Sequence, residues 1–185
     1  MSYAELKIVK KNGDVVGYKE YNNAFGGAAF IWTKLYDKYL KDQNIPYDSW
    51  LLNREKLWKL SKDESIPFFA RVVLNSTYDH VIIKRENILD LANALEKFLE
   101  IFPPSKGTIC HLGNWVNDLR DIYKDKSIRG IAFYQTSVSQ DLWNIYNDNE
   151  EDDSWTDRDY NIEKDEGHWF LFDEIEDFIV KNKRL

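Results

Sequence analysis

The sequence predicts an α+β fold in a single domain, residues 1–185, with an N-terminal β-hairpin and a mixed or antiparallel central sheet packed by about four to five helices. Three observations predict it. An Asn12-Gly13 pair separates two apolar-rich stretches, two long segments repeat apolar residues at helical spacing, and two compact apolar-aromatic runs of strand length lie in the second half of the chain. With 185 residues, 43% of them hydrophobic and 31% charged, the chain can bury one sizeable core and offset its conformational entropy.

Residues 6–9 and 15–21 flank Asn12-Gly13, whose residue types accept the positive φ angles of a tight turn, so a hairpin is expected there. After Gly26-Gly27, the positions Ala28, Ile31, Trp32, Leu35, Tyr36, Tyr39 and Leu40 fall on one helical stripe that stops before Pro46. Residues 53–61 fit a short second helix. Residues 67–74 are apolar and β-branched, and periodicity leaves both a strand and a buried helical turn open. Residues 80–84 read as a short strand. Asn87 offers an N-cap before the stripe Ile88, Leu91, Ala92, Leu95, Phe98, Leu99 and Phe102, and Pro103-Pro104 ends that helix. A further stripe, Ile109, Leu112, Val116, Leu119 and Tyr123, predicts the next helix. The runs 129–138 and 168–172 have the look of central strands covered by helices. A last helix is expected from Asp173, with Glu176 three positions on and Lys181, Lys183 and Arg184 at its end, matching capping and helix-dipole preferences.

The net charge of −7 is unevenly spread. Residues 148–166 hold ten acids against two bases, Arg158 and Lys164, whereas the rest of the chain is nearly neutral. With few aliphatic residues, residues 147–166 are expected to form an acidic loop, pinned in places by Trp143, Tyr146, Trp155 or Tyr160. Such a segment repels a phosphate backbone, so nucleic acid is not an expected partner and a basic protein is. No apolar run is long enough for a membrane span, and no basic start precedes an apolar stretch, so no membrane association and a cytoplasmic location are expected. Cys110 is the only cysteine, which excludes an internal disulfide and a thiolate metal framework within one chain.

Motifs that carry chemistry are sparse. Cys110-His111 joins a nucleophile to a base, with Asn114 or Asp118 as an orienting group, but neighbours on a helix point about 100° apart and do not face each other. His80, His111 and His168 have no tight ligand spacing, and no HExxH or EF-hand pattern is present, so no metal is expected. Gly26-Gly27 lacks a following GKS or GKT, and no GxGxxG appears, so no cofactor is expected. Residues 135–140 hold hydroxyls after an apolar run but lack the glycines of a nucleophile elbow.

The remaining candidate is the acidic, Trp-bearing stretch. Asp148, Glu150, Glu151, Asp152 and Asp153 would steer a basic partner, and Trp143 and Trp155 would anchor it. The expectation is a non-catalytic protein-binding module, of the kind represented by immunity or inhibitor proteins that neutralise a basic partner. The alternative is an enzyme whose site is assembled from distant residues around Cys110, His111 or His168.

Overall fold

A computed structural model describes residues 3–40, 54–78, 80–135, 143–149 and 154–172. In chain order the elements are β1 (Tyr3–Lys10), β2 (Asp14–Asn22), α1 (Ala28–Tyr39), α2 (Arg54–Lys59), α3 (Phe68–Asn75), β3 (Val81–Lys84), α4 (Ile88–Ile101), α5 (Leu112–Lys124), β4 (Ile128–Gln135), β5 (Asn144–Asn149), β6 (Ser154–Asn161) and β7 (Trp169–Phe170). The strands form one sheet in the order β5-β6-β2-β1-β4-β3-β7. Every neighbouring pair is antiparallel except β3–β7, so the sheet is mixed and the fold is α+β, as the sequence predicts.

The first hairpin turns where Asn12-Gly13 stands. Gly13 adopts φ +93°, its amide donates to the Lys10 carbonyl at 3.0 Å, and the Asn12 side chain donates to Asp14 at 2.6 Å. Period-two alternation then sorts β1 between the two faces of the sheet. Ala4 and Leu6 point into a core shared with the helices, while Val9 belongs to a separate cluster on the other face. The helix-side core contains Ile31 and Leu35 from α1, Val72 and Val73 from α3, Leu91, Leu95 and Phe98 from α4, and Trp115 and Leu119 from α5. Each such fully buried side chain contributes about 1.5–3 kcal/mol relative to exposure. The opposite face carries Val9, Val15, Ile82, Ala132, Trp143 and Tyr160, with Tyr134, Ile145, Ile162 and Phe170 packed around them. The expectation of helices covering the central strands thus holds for one face among the described residues. An aromatic cluster covers the other.

Several local expectations change. Residues 67–74, left open between strand and helix, form α3, which starts after Pro67; the proline carbonyl accepts from the Ala70 and Arg71 amides. Asn87 occupies the N-cap position of α4, but its side chain makes no capping bond because a short 3₁₀ turn over Arg85–Asn87 leads into the helix and satisfies the Ile88 amide through backbone. Ile109 does not continue the stripe of α5, which starts at Leu112; it is 50% exposed on the loop ahead of the helix. The run 168–172 contributes only the two paired residues of β7.

The acidic stretch is the largest correction. Residues 147–166, expected as a loop, contain the end of β5 and all of β6, an antiparallel hairpin with six register pairs from Asn144–Asp159 to Asn149–Ser154. Its low aliphatic content conceals a strand pattern in which Ile145, Tyr146, Trp155, Thr156 and Tyr160 supply β-propensity among the polar residues. The expected stop at Pro46, the polar segment beyond residue 135 and the helix expected from Asp173 lie outside the described residues.

Candidate functional site

The acidic hairpin is built from its base outward. Asn161, 3% exposed at the end of β6, donates through its side-chain amide to the Asn12 carbonyl at 3.0 Å and to Asp14 at 2.7 Å, and its side-chain oxygen accepts from the Glu163 amide at 2.9 Å. The Ile162 amide donates to the Gly13 carbonyl at 2.9 Å. One buried asparagine thereby locks the end of the second hairpin onto the turn of the first. Arg158 adds a fork, donating to both Asp165 oxygens at 2.7 and 2.6 Å, while the Asn161 amide donates to the same carboxylate at 2.8 Å. This guanidinium, helped by that amide and opposed by partial desolvation, lowers the Asp165 carboxyl to about 2.

A carboxyl depressed in the folded state stabilises the fold fully above its unfolded value of about 4, and that contribution disappears as pH falls through the folded value. Arg158 is 41% exposed, so solvent screening limits the contribution to about 1 kcal/mol at neutral pH. Asp165→Asn is therefore expected to lower stability by that amount at pH 7 and by progressively less between pH 4 and pH 2. Denaturant titrations across that range check it.

Above the base, Trp143 is sunk into the sheet. It is 2% exposed, donates through Nε1 to the Phe133 carbonyl at 3.4 Å, and meets Tyr160 edge-on at 5.3 Å and His80 at 5.4 Å between ring centroids. The Tyr160 amide donates to the Trp143 carbonyl at 2.9 Å. Trp143, expected as a surface anchor for a partner, is instead a core residue that ties the hairpin to the sheet; the burial of its large ring explains the change. Asp148 and Trp155 face each other across the β5–β6 ladder as register partners. Their side chains, and Glu150, Glu151, Asp152 and Asp153 altogether, lie outside the described residues.

β6 leaves β2 early. It pairs with β2 only through Tyr160 and Asn161, whereas its ladder with β5 continues to Ser154, and Gly17, Tyr18, Lys19 and Glu20 of β2 remain exposed. The hairpin is therefore an arm beyond the main sheet, and β5 is the terminal strand.

The histidines divide between the two faces. His80 and His168 flank Tyr160, with ring centroids at 5.7 and 5.8 Å, while His111 stacks on Tyr21 at 5.5 Å on the helix side. The Tyr160 hydroxyl lies 2.9 Å from both the Glu166 carbonyl and His168 Nδ1. A hydroxyl has one proton; given to the carbonyl, it leaves the oxygen to accept from an Nδ1–H of His168. Burial pushes the Tyr160 phenol up, which keeps it neutral. His80 takes an unusual φ of +59°, places Nδ1 3.1 Å from the Gly167 carbonyl, and leaves Nε2 buried without a partner among the described residues. No cluster of three or more His, Cys, Asp or Glu side chains suited to a metal occurs among the described residues.

Cys110 and His111 both precede α5 and do not lie within it, His111 at the N-cap position. His111 is a fastener. Its amide donates to the Gly26 carbonyl at 2.7 Å, and Nε2 lies 2.8 Å from the Asn23 carbonyl, which places the ring proton on Nε2. A side chain at Gly26 would meet that ring at 2.8 Å, so the glycine allows this close approach. The Gly26 and Gly27 amides are taken by the Asn23 and Ala24 carbonyls, an internal turn that leaves neither aimed at an anion. Asp118, proposed as an orienting group, accepts from the Tyr21 hydroxyl at 2.5 Å and from Lys19 at 2.8 and 2.9 Å. Burial pushes the Cys110 thiol up, against weaker lowering by the Leu112 amide and Lys34. A thiol of this kind is protonated at neutral pH and a poor nucleophile. Cys110→Ser is expected to change stability by no more than about 1 kcal/mol. Native Cys110 should also react with a thiol reagent more slowly than the unfolded chain does, as a colorimetric thiol assay will show.

No family model matches the chain, and neither the curated proteins nor the solved structures contain a match to it. No helix among the described residues is long and apolar enough to cross a membrane.

Proposed function

We propose that this protein is a non-catalytic binding module that neutralises a basic partner protein, and that the β5–β6 hairpin is the element it presents. The observation that carries the reading is the hairpin's position: an arm departing from β2 after two register pairs, at the end of the sheet, in the most acidic part of the chain. Residues 144–161 carry seven acids and one base. A protruding element of one charge sign raises the encounter rate with an oppositely charged partner, and its field falls off within about 8–10 Å at physiological salt.

Two further features support it. Asp148 and Trp155 are register partners in the ladder, so one element carries both an acidic position for steering and an aromatic residue type of the kind that dominates interface energetics. The terminal strand β5 is mostly polar and carries one charge, Asp148, and a charge on an edge strand disfavours edge-to-edge pairing with other chains, so the arm can stay available to its partner. Proteins of the immunity or inhibitor kind use acidic surfaces in this way against basic toxins or defence proteins, because an acidic patch can occupy a site built for phosphate. The Cys110-centred enzyme reading has less support, since its base is engaged in fastening the loop and its thiol is raised.

The test is affinity capture at low and high salt with the native protein and with a variant in which Asp148, Glu150, Glu151, Asp152 and Asp153 are replaced by Asn or Gln. A basic protein retained by the native chain at low salt and lost with the variant supports the reading. Equal retention by both removes it.

A further inference from the structure

A cavity of about 600 Å³ runs along one stripe of α1, from Ala29 through Thr33 to Asp37, between the turn that leads into the helix and the loop over residues 107–109. Its size is in the range that small-molecule sites occupy, roughly 300–1,000 Å³. Its walls are apolar and uncovered. Among the described residues four large hydrophobic side chains are exposed, and two of them, Phe25 at 55% and Ile109 at 50%, line this one cavity. Exposed apolar side chains gathered at one place mark ligand grooves and interaction sites. Phe30, buried beside them, continues the apolar surface inward.

Both walls are set before any ligand arrives. Asn23 takes a φ of +73°, its side-chain oxygen accepts from the Phe25 amide at 3.0 Å, and its carbonyl lies 2.8 Å from His111 Nε2. The His111 amide donates to the Gly26 carbonyl at 2.7 Å, and a Cβ at Gly26 would meet the Ile109 side chain at 2.7 Å, so Ile109 packs on the backbone of the turn that carries Phe25. Preorganised walls cost little further entropy on binding.

The polar chemistry of the cavity is a pair of opposite charges. Lys34 and Asp37 lie three residues apart on α1, a spacing that sets Cβ atoms about 5–6 Å from each other. Neither has an ion-pair partner among the described residues. The Lys34 ammonium lies 5.4 Å from the centre of the Phe30 ring, a contact that engages one side of a group with three N–H donors. A ligand with only a negative charge would be repelled by Asp37, and one with only a positive charge by Lys34. A ligand carrying both satisfies the pair.

We propose that this cavity binds a free α-amino acid with a large apolar side chain, its carboxylate on Lys34, its ammonium on Asp37 and its side chain against Phe25 and Ile109. An α-amino acid holds both charges on one carbon, which suits two partners on consecutive turns of a helix, whereas a peptide terminus offers only one of them there. The inference is independent of the role proposed for the acidic hairpin.

Isothermal titration calorimetry on the full chain tests it with four probes: L-phenylalanine, 3-phenylpropionate, L-phenylalaninamide and glycine. L-phenylalanine is expected to saturate one site and to bind about tenfold more tightly than 3-phenylpropionate, which lacks the ammonium, and than L-phenylalaninamide, which lacks the carboxylate and stands in for a peptide N-terminus. Glycine, which lacks the apolar body, is expected not to bind. In Lys34→Gln the advantage over the amide should vanish while that over 3-phenylpropionate persists, and in Asp37→Asn the reverse should hold. Phe25→Ser should weaken L-phenylalanine about tenfold. Phe25 and Asp37 are exposed, so these two variants keep the fold and the test decisive. The proposal is overturned if L-phenylalanine does not saturate, if the amide or 3-phenylpropionate binds as tightly as L-phenylalanine, or if its affinity is unchanged in Asp37→Asn and Phe25→Ser.

Discussion

Trp143→Ala is expected to lose about 3–5 kcal/mol of stability, the range for truncating a fully buried large aromatic. The ring is 2% exposed and packs in a cluster with Val9, Val15, Ile82, Ala132 and Tyr160. Its removal leaves a cavity on the face of the sheet that lacks helices among the described residues, where the β5–β6 hairpin is attached. The Tyr160 and His80 rings lose their edge contacts with it, and the Phe133 carbonyl loses a donor. Chemical denaturation measures the loss, and tryptophan fluorescence reports the change in surroundings. A loss within about 0.5 kcal/mol would return Trp143 to the surface role that the sequence suggested.

Gly130→Val is expected to cost about 3 kcal/mol and to disturb the β3–β4 ladder. A Cβ built at Gly130 would sit 2.6 Å from the Ile83 carbonyl oxygen, a backbone atom held by the sheet itself, and 3.4 Å from the Ile82 side chain. The position lies in the middle strand of three, paired to Val9 on β1 and Lys84 on β3, so neither neighbour can yield without moving a strand. Thermal unfolding with hydrogen exchange at Ile83 and Ile131 locates the damage. Unchanged stability would mean that the close packing between β3 and β4 is not required.

The parts of the fold that were legible in the sequence are those set by local rules. Asn12-Gly13 announces its turn because few residue types accept a positive φ, and the stripes of α1 and α4 announce helices because apolar residues recur every three or four positions along them. The acidic hairpin was hidden because it is secured by polar side-chain contacts and not by an apolar pattern: Asn161 reaches the turn of the first hairpin, and Arg158 forks onto Asp165. Neither contact has a local signal. Tryptophan gave an ambiguous sign: a large ring contributes equally to a core and to an interface, and only the surroundings of Trp143 assign it to the first.

The basic residues that line a cavity at one end of the sheet were hidden for a different reason. Lys11, Lys84, Arg85, Lys126 and Arg129 are scattered among turns and strand ends far apart in sequence, where lysine and arginine are ordinary, and only the strand order gathers them. Cys110-His111 erred the other way. Adjacency in sequence suggested a pair, but His111 turns to the Asn23 carbonyl and Tyr21, contacts supplied by a segment almost ninety residues earlier.

The proposed role of the acidic hairpin is tested most directly by association and dissociation kinetics with the captured partner, measured at low and high salt. Neutralising Asp148, Glu150, Glu151, Asp152 and Asp153 together is predicted to slow association on the order of tenfold at low salt, with the difference shrinking at high salt as the charges are screened. Trp155→Ala is predicted to raise the dissociation rate with little change in salt dependence, as expected of an anchor. Association and dissociation rates that are the same in both variants as in the native protein would contradict the account and leave the hairpin as a solvated edge of the sheet.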